Sequence, residues 1–403
     1  DEPTSGLDVT IQAQFLDRVW DSCRQTNAAV VLVTQDLGIV ANYCDRVVIV
    51  HEGTIVEDSD VYTFFESPQH EYSRRILKLQ REAQAAGESV LGKIDRDAAP
   101  IVEVKDMSKL FPIRASESKV HAAEHVDFEL RPGECLGLVG ESGSGKTTIG
   151  RCVLRLVEPT QGEIVFQNRN IAEIRPNEFR KFRGDLQIVF QDPLDSLNPR
   201  WTVHQVLSEP LKLHTNLSNE EKESRISELL ALVGLEPSMR FALPREMSAG
   251  RQQRASIARA IASNPDFIVL DEPTSALTPE TTAEIIQLLM DLSSKLGIAY
   301  LFISHDLAVV RHVSSTIAVM YRGRLVEVGA TENIYQAPRH PYTQTLLASV
   351  PTPNPHGRQE RRDKRIALQA GMNSSDQSQP SPDCCEFQSR CPIALPVCGR
   401  EVP

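Results

Sequence analysis

The apolar positions of this chain gather into short runs set between polar, turn-rich segments and stretches of helical periodicity. Runs at 135–139, 186–190, 267–270, 299–303 and 316–320 are nearly continuous rather than alternating, which predicts strands buried on both faces. Ile101-Val102-Glu103-Val104 opens a further strand. Helix-like segments at roughly 203–213, 219–234 and 250–263 lie between the 186–190 and 267–270 strands. That stretch, about 195–263, is long enough for a helical subdomain inserted into an α/β core. No run approaches the ~20 apolar residues that a bilayer crossing needs.

An internal repeat organises the rest. Asp1-Glu2-Pro3-Thr4-Ser5 recurs as Asp271-Glu272-Pro273-Thr274-Ser275, 270 positions later, and the register then holds without a gap. Thr34-Gln35-Asp36-Leu37 falls on Ser304-His305-Asp306-Leu307, and His70-Glu71-Tyr72 falls on His340-Pro341-Tyr342. The second copy extends far upstream of Asp271, so the chain reads as opening part-way through a first copy, from a parent with two similar domains fused in tandem. Residues 78–100, rich in Ala, Gln, Glu and Arg, read as an extended last helix running into a linker. After Val350 the composition shifts to Pro, Ser, Gln and Arg, which reads as a loosely ordered tail.

Bulk properties narrow the function classes. At 403 residues the chain can bury two or more cores. The net charge of -11 argues against a basic nucleic-acid-binding face. Eight cysteines divide into two groups. Cys23, Cys44, Cys135 and Cys152 sit among apolar residues and read as buried thiols, whereas Cys384, Cys385, Cys391 and Cys398 crowd the last twenty residues. Nothing in the pattern suggests an oxidising compartment.

The chemistry begins after the 135–139 strand. Gly140-Glu141-Ser142-Gly143-Ser144-Gly145-Lys146-Thr147-Thr148 fits G-x-x-x-x-G-K-[ST], with a helix predicted from about Lys146. Glycines let the backbone curl so that successive N–H groups face phosphate oxygens, and the helix N-terminus adds positive potential. Lys146 reaches the β- and γ-phosphates, and the Thr147 hydroxyl suits Mg²⁺. The strand at 267–270 delivers Asp271 and Glu272, the first suited to the metal shell and the second to activating water.

Taken together, these residues resemble the ABC ATPases: a P-loop α/β core with an inserted helical subdomain, preceded here by the C-terminal part of a second copy. Phe111 stands where these ATPases stack an aromatic on adenine. Gln191 resembles the Q-loop, a further contact to the metal, and Ser248-Ala249-Gly250-Arg251-Gln252 occupies the signature position. His305 resembles the switch histidine. Ser196-Leu197-Asn198-Pro199-Arg200, His340-Pro341-Tyr342-Thr343 and the terminal cysteines are similar to the oligopeptide/dipeptide importer subfamily, whose members carry peptides, nickel or glutathione. The resemblance implies ATP and Mg²⁺, two integral membrane permease subunits, an extracytoplasmic solute-binding protein, no nucleic acid, and a peripheral position on the cytoplasmic face of the membrane. It divides the chain into the C-terminal part of a first ATPase domain (1–77, from Walker B), a linker (78–100), a second ATPase domain (101–350) and a C-terminal extension (351–403). The rival class is a soluble ABC ATPase acting on nucleic acid or ribosomes.

Departures from the family pattern matter as well. The signature usually reads Leu-Ser-Gly-Gly-Gln; here it is Met247-Ser248-Ala249-Gly250-Arg251. Gln35 stands at the first copy's switch position, and Thr278 replaces the D-loop aspartate that Asp8 supplies in the first copy. In this family two ATPs are sandwiched between two domains, each site using Walker motifs and switch from one and signature and D-loop from the other. All three departures therefore fall on the site built on Asp1 and Glu2, and the expectation is functional asymmetry. For the tail, thiolates at Cys384, Cys385, Cys391 and Cys398 are candidate ligands of Zn²⁺ or an iron–sulfur cluster, the resemblance favouring the latter, with plain thiols as the alternative.

Overall fold

The computed structural model describes residues 1–4, 6–85, 97–112, 119–275, 277–370 and 384–400. Ser5 of the first repeat motif, residues 86–96 of the expected linker and the middle of the tail lie outside the described residues. The chain forms two compact units. The first gathers the described residues of Asp1–Ala86, Gly140–Ser142 and Glu332–Pro403; the second gathers those of Gly87–Val139 and Gly143–Thr331.

In the first unit a helix over Val9–Thr26 is followed by a short helix, Leu37–Tyr43, and an antiparallel hairpin of β1 (Arg46–His51) and β2 (Thr54–Asp60). Helices Val61–Glu66 and Glu71–Ala85 complete the repeat. The second of these carries the chain eight residues past the domain end set at 77, because nothing in its Ala-, Gln- and Glu-rich run breaks a helix. Ala41, Val47, Val61, Phe64, Phe65 and Leu77 form the local core.

The second unit holds two sheets. β3 (Val102–Pro112), β4 (Lys119–Leu130), β6 (Gln161–Phe166) and β7 (Arg169–Asn170) make an antiparallel sheet in the order β4-β3-β6-β7. The larger sheet uses β5 (Cys135–Val139), β8 (Leu186–Val189), β9 (Phe267–Asp271), β10 (Ala299–Ile303), β11 (Thr316–Tyr321) and β12 (Arg324–Ala330), ordered β12-β11-β5-β10-β9-β8. Only β12 runs antiparallel. Every residue of β5, β9 and β10 is buried, as their unbroken apolar runs require of parallel strands covered on both faces. Helices Val203–His214, Asn219–Leu232 and Ala249–Ile261 fill the span between β8 and β9, where the helical subdomain was expected. Capping boxes at Thr202 and Ser218 start the first two.

The repeat is visible element by element. Helix Val9–Thr26 corresponds to Pro279–Leu296, Leu37–Tyr43 to Leu307–Val313, and the β1–β2 hairpin to β11–β12, with a register irregularity after Ile49 in one and after Val319 in the other. Asp36 and Asp306 cap their helices identically, each carboxylate accepting from two backbone N–H groups. One counterpart differs. Ala299–Ile303 is a fully buried strand between β5 and β9, whereas residues 29–33, of the same apolar character, form none; Val30, Val31 and Val33 are 55%, 91% and 52% exposed. A strand exists only through its neighbours, and among the described residues of the first unit nothing corresponds to β5 or β9.

Part of the tail is more ordered than the loose segment expected. Arg358–Ala370 is a 13-residue helix, and the reason is electrostatic: its arginines find acidic partners in the first unit, described below.

Candidate nucleotide-binding site

The loop after β5 is shaped by its glycines. Gly145 has φ +109, and a Cβ there would lie 1.9 Å from the Ala122 carbonyl oxygen, so no other residue fits. Helix Lys146–Val153 starts immediately after it, as expected from the sequence. Lys146 is buried, with Nζ 3.5 Å from Ser144 Oγ. The loop closes the carboxyl end of β5, where ligands bind in open parallel sheets.

Beside it, β9 brings in the two acids. The Thr147 hydroxyl donates to Asp271 Oδ1 at 2.9 Å. Burial raises the Asp271 carboxyl above its usual range, with the Thr147 hydrogen bond working against that shift. A hydroxyl and a carboxylate this close are hard oxygen donors of the kind Mg²⁺ takes, with waters and phosphate oxygens completing an octahedron. The residues present thus fit the metal.

Glu272 sits just beyond the strand in the left-handed region (φ +48), its backbone N–H donating to Ile303 O at 2.9 Å. Its carboxylate lies 3.2 Å from His305 Nδ1 and accepts from Gln191 Nε2 at 3.0 Å. The histidine contact holds Glu272 below the usual glutamate range, and the same contact holds His305 above the usual histidine range. Gln191, Glu272 and His305, separate in sequence, are therefore one hydrogen-bonded group beside Thr147 and Asp271.

The first unit repeats half of this. Glu2 is again left-handed (φ +41) and donates its N–H to Val33 O at 2.9 Å. Its carboxylate, however, accepts from the backbone N–H of Gln35 at 3.1 Å, and the Gln35 side chain is exposed. Asp8 Oδ1 accepts from the Ser142 N–H at 2.6 Å, and Thr10 donates to Glu141 Oε1 at 2.7 Å; all four residues belong to the first unit.

Other expected residues fall as follows. Phe111 ends β3 with its ring exposed, and Lys109 Nζ lies 4.9 Å from the ring centroid. Ser248 and Ala249 are exposed at the start of helix Ala249–Ile261, and Arg251 is exposed on its first turn. A Cβ at Gly250 would meet Thr281 at 2.6 Å, so that glycine serves helix packing. Gln252 folds back on the chain that precedes it: its Nε2 donates to the Pro244 and Met247 carbonyls. Thr278 caps the helix over Pro279–Leu296.

The sequence reading missed two contributors, Thr10 and Tyr342. The Tyr342 hydroxyl accepts from the Glu141 N–H at 3.1 Å. The His340-Pro341-Tyr342 motif was singled out without a role; His340 Nδ1 caps its helix by accepting from the Tyr342 N–H, as His70 does from Tyr72. The tail cysteines give a different result. Cys384 donates to Gly399 O at 2.9 Å, Cys385 is pushed up by burial and by the nearby Cys398 and Cys391, and all four are free. Among the described residues no group of three or more His, Cys, Asp or Glu side chains is arranged to hold a metal ion.

The comparisons agree with this geometry. Residues 123–275 match the ABC transporter family model, and 326–398 match the oligopeptide/dipeptide transporter C-terminal region. A dimeric ATP-binding cassette, MJ0796, solved with ADP and Pi, superposes with a TM-score of 0.53 at 31% identity, covering 98% of that chain and 57% of this one. The chain belongs to the ABC ATP-binding cassette family. A second cassette, cbiO1 from Clostridium perfringens, part of the ABC transporter complex cbiONQ, gives 0.53 at 27% identity, covering 91% of that chain and 59% of this one. The chain is 41% identical over 401 residues to the glutathione import ATP-binding protein GsiA of Escherichia coli K12, covering 93% of this chain. GsiA of Pectobacterium atrosepticum is 41% identical over 384 residues, covering 89% of this chain. The chain spans 64% and 62% of the lengths of these two relatives.

Proposed function

We propose that this ABC cassette chain binds and hydrolyses ATP to drive uptake of a peptide or a related small solute, such as nickel or glutathione, through a membrane importer. The observation that carries the reading is the convergence of Thr147, Asp271, Gln191, Glu272 and His305 beside Lys146. Lys146 would bind the β- and γ-phosphates, with the loop N–H groups between Gly140 and Thr148 other than those of Glu141 and Ser142 around them and Phe111 against the base. Thr147, Asp271 and Gln191 would hold Mg²⁺, which neutralises developing charge when bound. Glu272 would orient the attacking water, and His305, whose pKa is raised by its hydrogen bond to Glu272, would face the γ-phosphate.

The placement of Asp8 supports a composite site in which D-loop and Walker loop come from different copies. The pairing of Glu2 with the Gln35 backbone, rather than with a histidine, supports weaker hydrolysis at the other site. A groove of about 500 Å³, lined by residues 194–199 with Trp201, Val206, Glu209 and Arg259, is a place where a permease subunit would dock. Coupling would run through two such subunits, with the chain on the cytoplasmic face and the solute delivered by an extracytoplasmic binding protein; no described helix is long and apolar enough to cross a membrane.

The test is nucleotide binding and turnover of the protein with and without Lys146→Ala, followed by co-purification. Loss of ATP binding in Lys146→Ala and recovery of integral membrane permeases support the proposal. Wild-type affinity in the variant, or recovery of nucleic acid instead, would refute it.

A further inference from the structure

The tail helix Arg358–Ala370 carries arginines at 358, 361, 362 and 365, the i, i+3, i+4, i+7 spacing of a single helix face. That face grips the N-terminal helices of the same unit. Arg365 Nη2 donates to both oxygens of Asp17 at 2.7 Å and to the Tyr43 hydroxyl at 2.9 Å. Arg362 donates to Asp17 at 2.9 Å and to Asp21 at 2.6 Å. Arg358 donates to the Cys44 carbonyl at 2.7 Å and to Asp45 at 2.8 Å, and Arg361 reaches Asn42 at 3.0 Å. The approach is close on the neighbouring helix too: Asn42 donates to Thr352 O at 2.7 Å, and a Cβ at Gly38 would lie 2.2 Å from Pro351 O.

Asp17 and Arg365 are 8% and 7% exposed, so this contact is not a surface ion pair. A buried carboxylate with two guanidiniums and a phenol around it has one satisfactory arrangement, which makes it a registry device. Its place on the helix gives it consequence. Thr10 and Asp17 are seven residues apart, on the same face of helix Val9–Thr26 and about 10 Å apart along its axis. The front end of that helix holds the phosphate loop, through Asp8 to the Ser142 N–H and Thr10 to Glu141. The strap therefore fixes, at one point, the helix that braces Ser142 at the other.

We infer that the C-terminal extension is a positioning strap: Arg362 and Arg365, clamped on Asp17, set the helix that places Asp8 and Thr10 against Glu141 and Ser142. They are positioning residues, since they touch neither nucleotide nor reacting atoms. The inference rests on the ATPase reading for its effect on turnover, but its structural content does not.

The experiment compares wild type, Arg365→Met and the milder Arg362→Gln in the protein as its gene encodes it. Hydrogen–deuterium exchange is read over 140–145 and over 9–21, beside nucleotide affinity and steady-state ATP turnover. Loss of the strap should speed exchange at Glu141 and Ser142 and along the 9–21 helix while leaving β5, β9 and β10 protected. It should lower kcat roughly 2- to 30-fold, the range of coupling between linked sites, with nucleotide Kd nearly unchanged because Lys146 and Thr147 are untouched. Arg365→Lys should recover part of both. Folded variants with wild-type exchange at Ser142 would overturn the inference. So would a uniform rise in exchange across both units, which marks a merely structural role. A wild-type protein that does not hydrolyse ATP, or whose turnover survives Lys146→Ala, would defeat the ATPase reading instead, and the exchange data would still decide the strap.

Discussion

Replacing Gly145 by alanine tests the phosphate loop where its geometry is most demanding. The residue sits at φ +109, beyond the small left-handed region that L residues visit, at a cost on the order of 1–2 kcal/mol. The added Cβ would lie 1.9 Å from the Ala122 carbonyl oxygen and 2.7 Å from Met320 Cε. The methionine can turn aside, but the carbonyl belongs to β4 and is held in a sheet, so overpacking adds about 1–3 kcal/mol. Together the two effects disfavour the native loop by about 3 kcal/mol, which corresponds to about a hundredfold loss of nucleotide affinity. Gly143→Ala is the matched control. That residue has φ +75, but nothing lies within 4 Å of its Cβ, so only the backbone cost of about 1 kcal/mol applies and affinity should fall about fivefold. Titration with a fluorescent ATP analogue, with thermal melts to confirm folding, measures both. Equal losses at the two glycines, or a Gly145→Ala protein that binds within fivefold of wild type, would refute the steric argument.

Three further outcomes are expected. The His305–Glu272 interaction, measured as a coupling energy between His305→Ala and Glu272→Gln, should depend on pH with a definite sign. The histidine contribution is fully present below its ordinary pKa of about 6.5 and is lost as pH rises through the raised folded value, while the glutamate contribution is lost as pH falls through its lowered value. A coupling that grows as pH rises above neutrality would contradict the assignment. Glu272→Gln should lower steady-state hydrolysis by about 10²–10³ with nucleotide still bound, whereas Glu2→Gln should leave most turnover intact; equal losses would show coupled, equivalent sites. Removing the helix cap in Asp306→Ala should destabilise the second unit by about 1 kcal/mol, read as a shift of the denaturation midpoint at constant slope.

Much of the second unit was legible because its signals are local and mutually consistent. The unbroken runs at 135–139 and 299–303 could only be strands covered on both faces, and the loop motif between a strand and a helix fixed where Lys146 and Thr147 would stand. Residues that act through distant backbone were not legible. Tyr342 reaches Glu141 across two hundred positions, and its motif showed a cap at His340 but gave no hint of the phosphate loop. The tail was misread for a related reason. Its polar composition resembles that of disordered segments, but order there comes from a face of arginines meeting acids at 17, 21 and 45, and composition carries no information about where the partners lie.

The two copies show how far a local sequence specifies its own structure. Caps, the hairpin with its irregularity and the left-handed glutamate recur in both, since each is determined within a few residues or by a nearby chain reversal. Residues 29–33 and 299–303 share an apolar pattern, yet one is a buried strand and the other is not, because pairing on both edges is supplied by segments remote in sequence. Even so, the Glu2 N–H finds Val33 O at the same 2.9 Å as Glu272 finds Ile303 O. The acid at the end of the strand is thus positioned by one hydrogen bond to the neighbouring segment, independent of the sheet around it. What distinguishes the two sites lies one residue further along the argument: a histidine side chain meets Glu272, while only the backbone of Gln35 meets Glu2. Because the acid itself is held alike in both copies, the Glu272→Gln and Glu2→Gln pair compares the same group in two different surroundings.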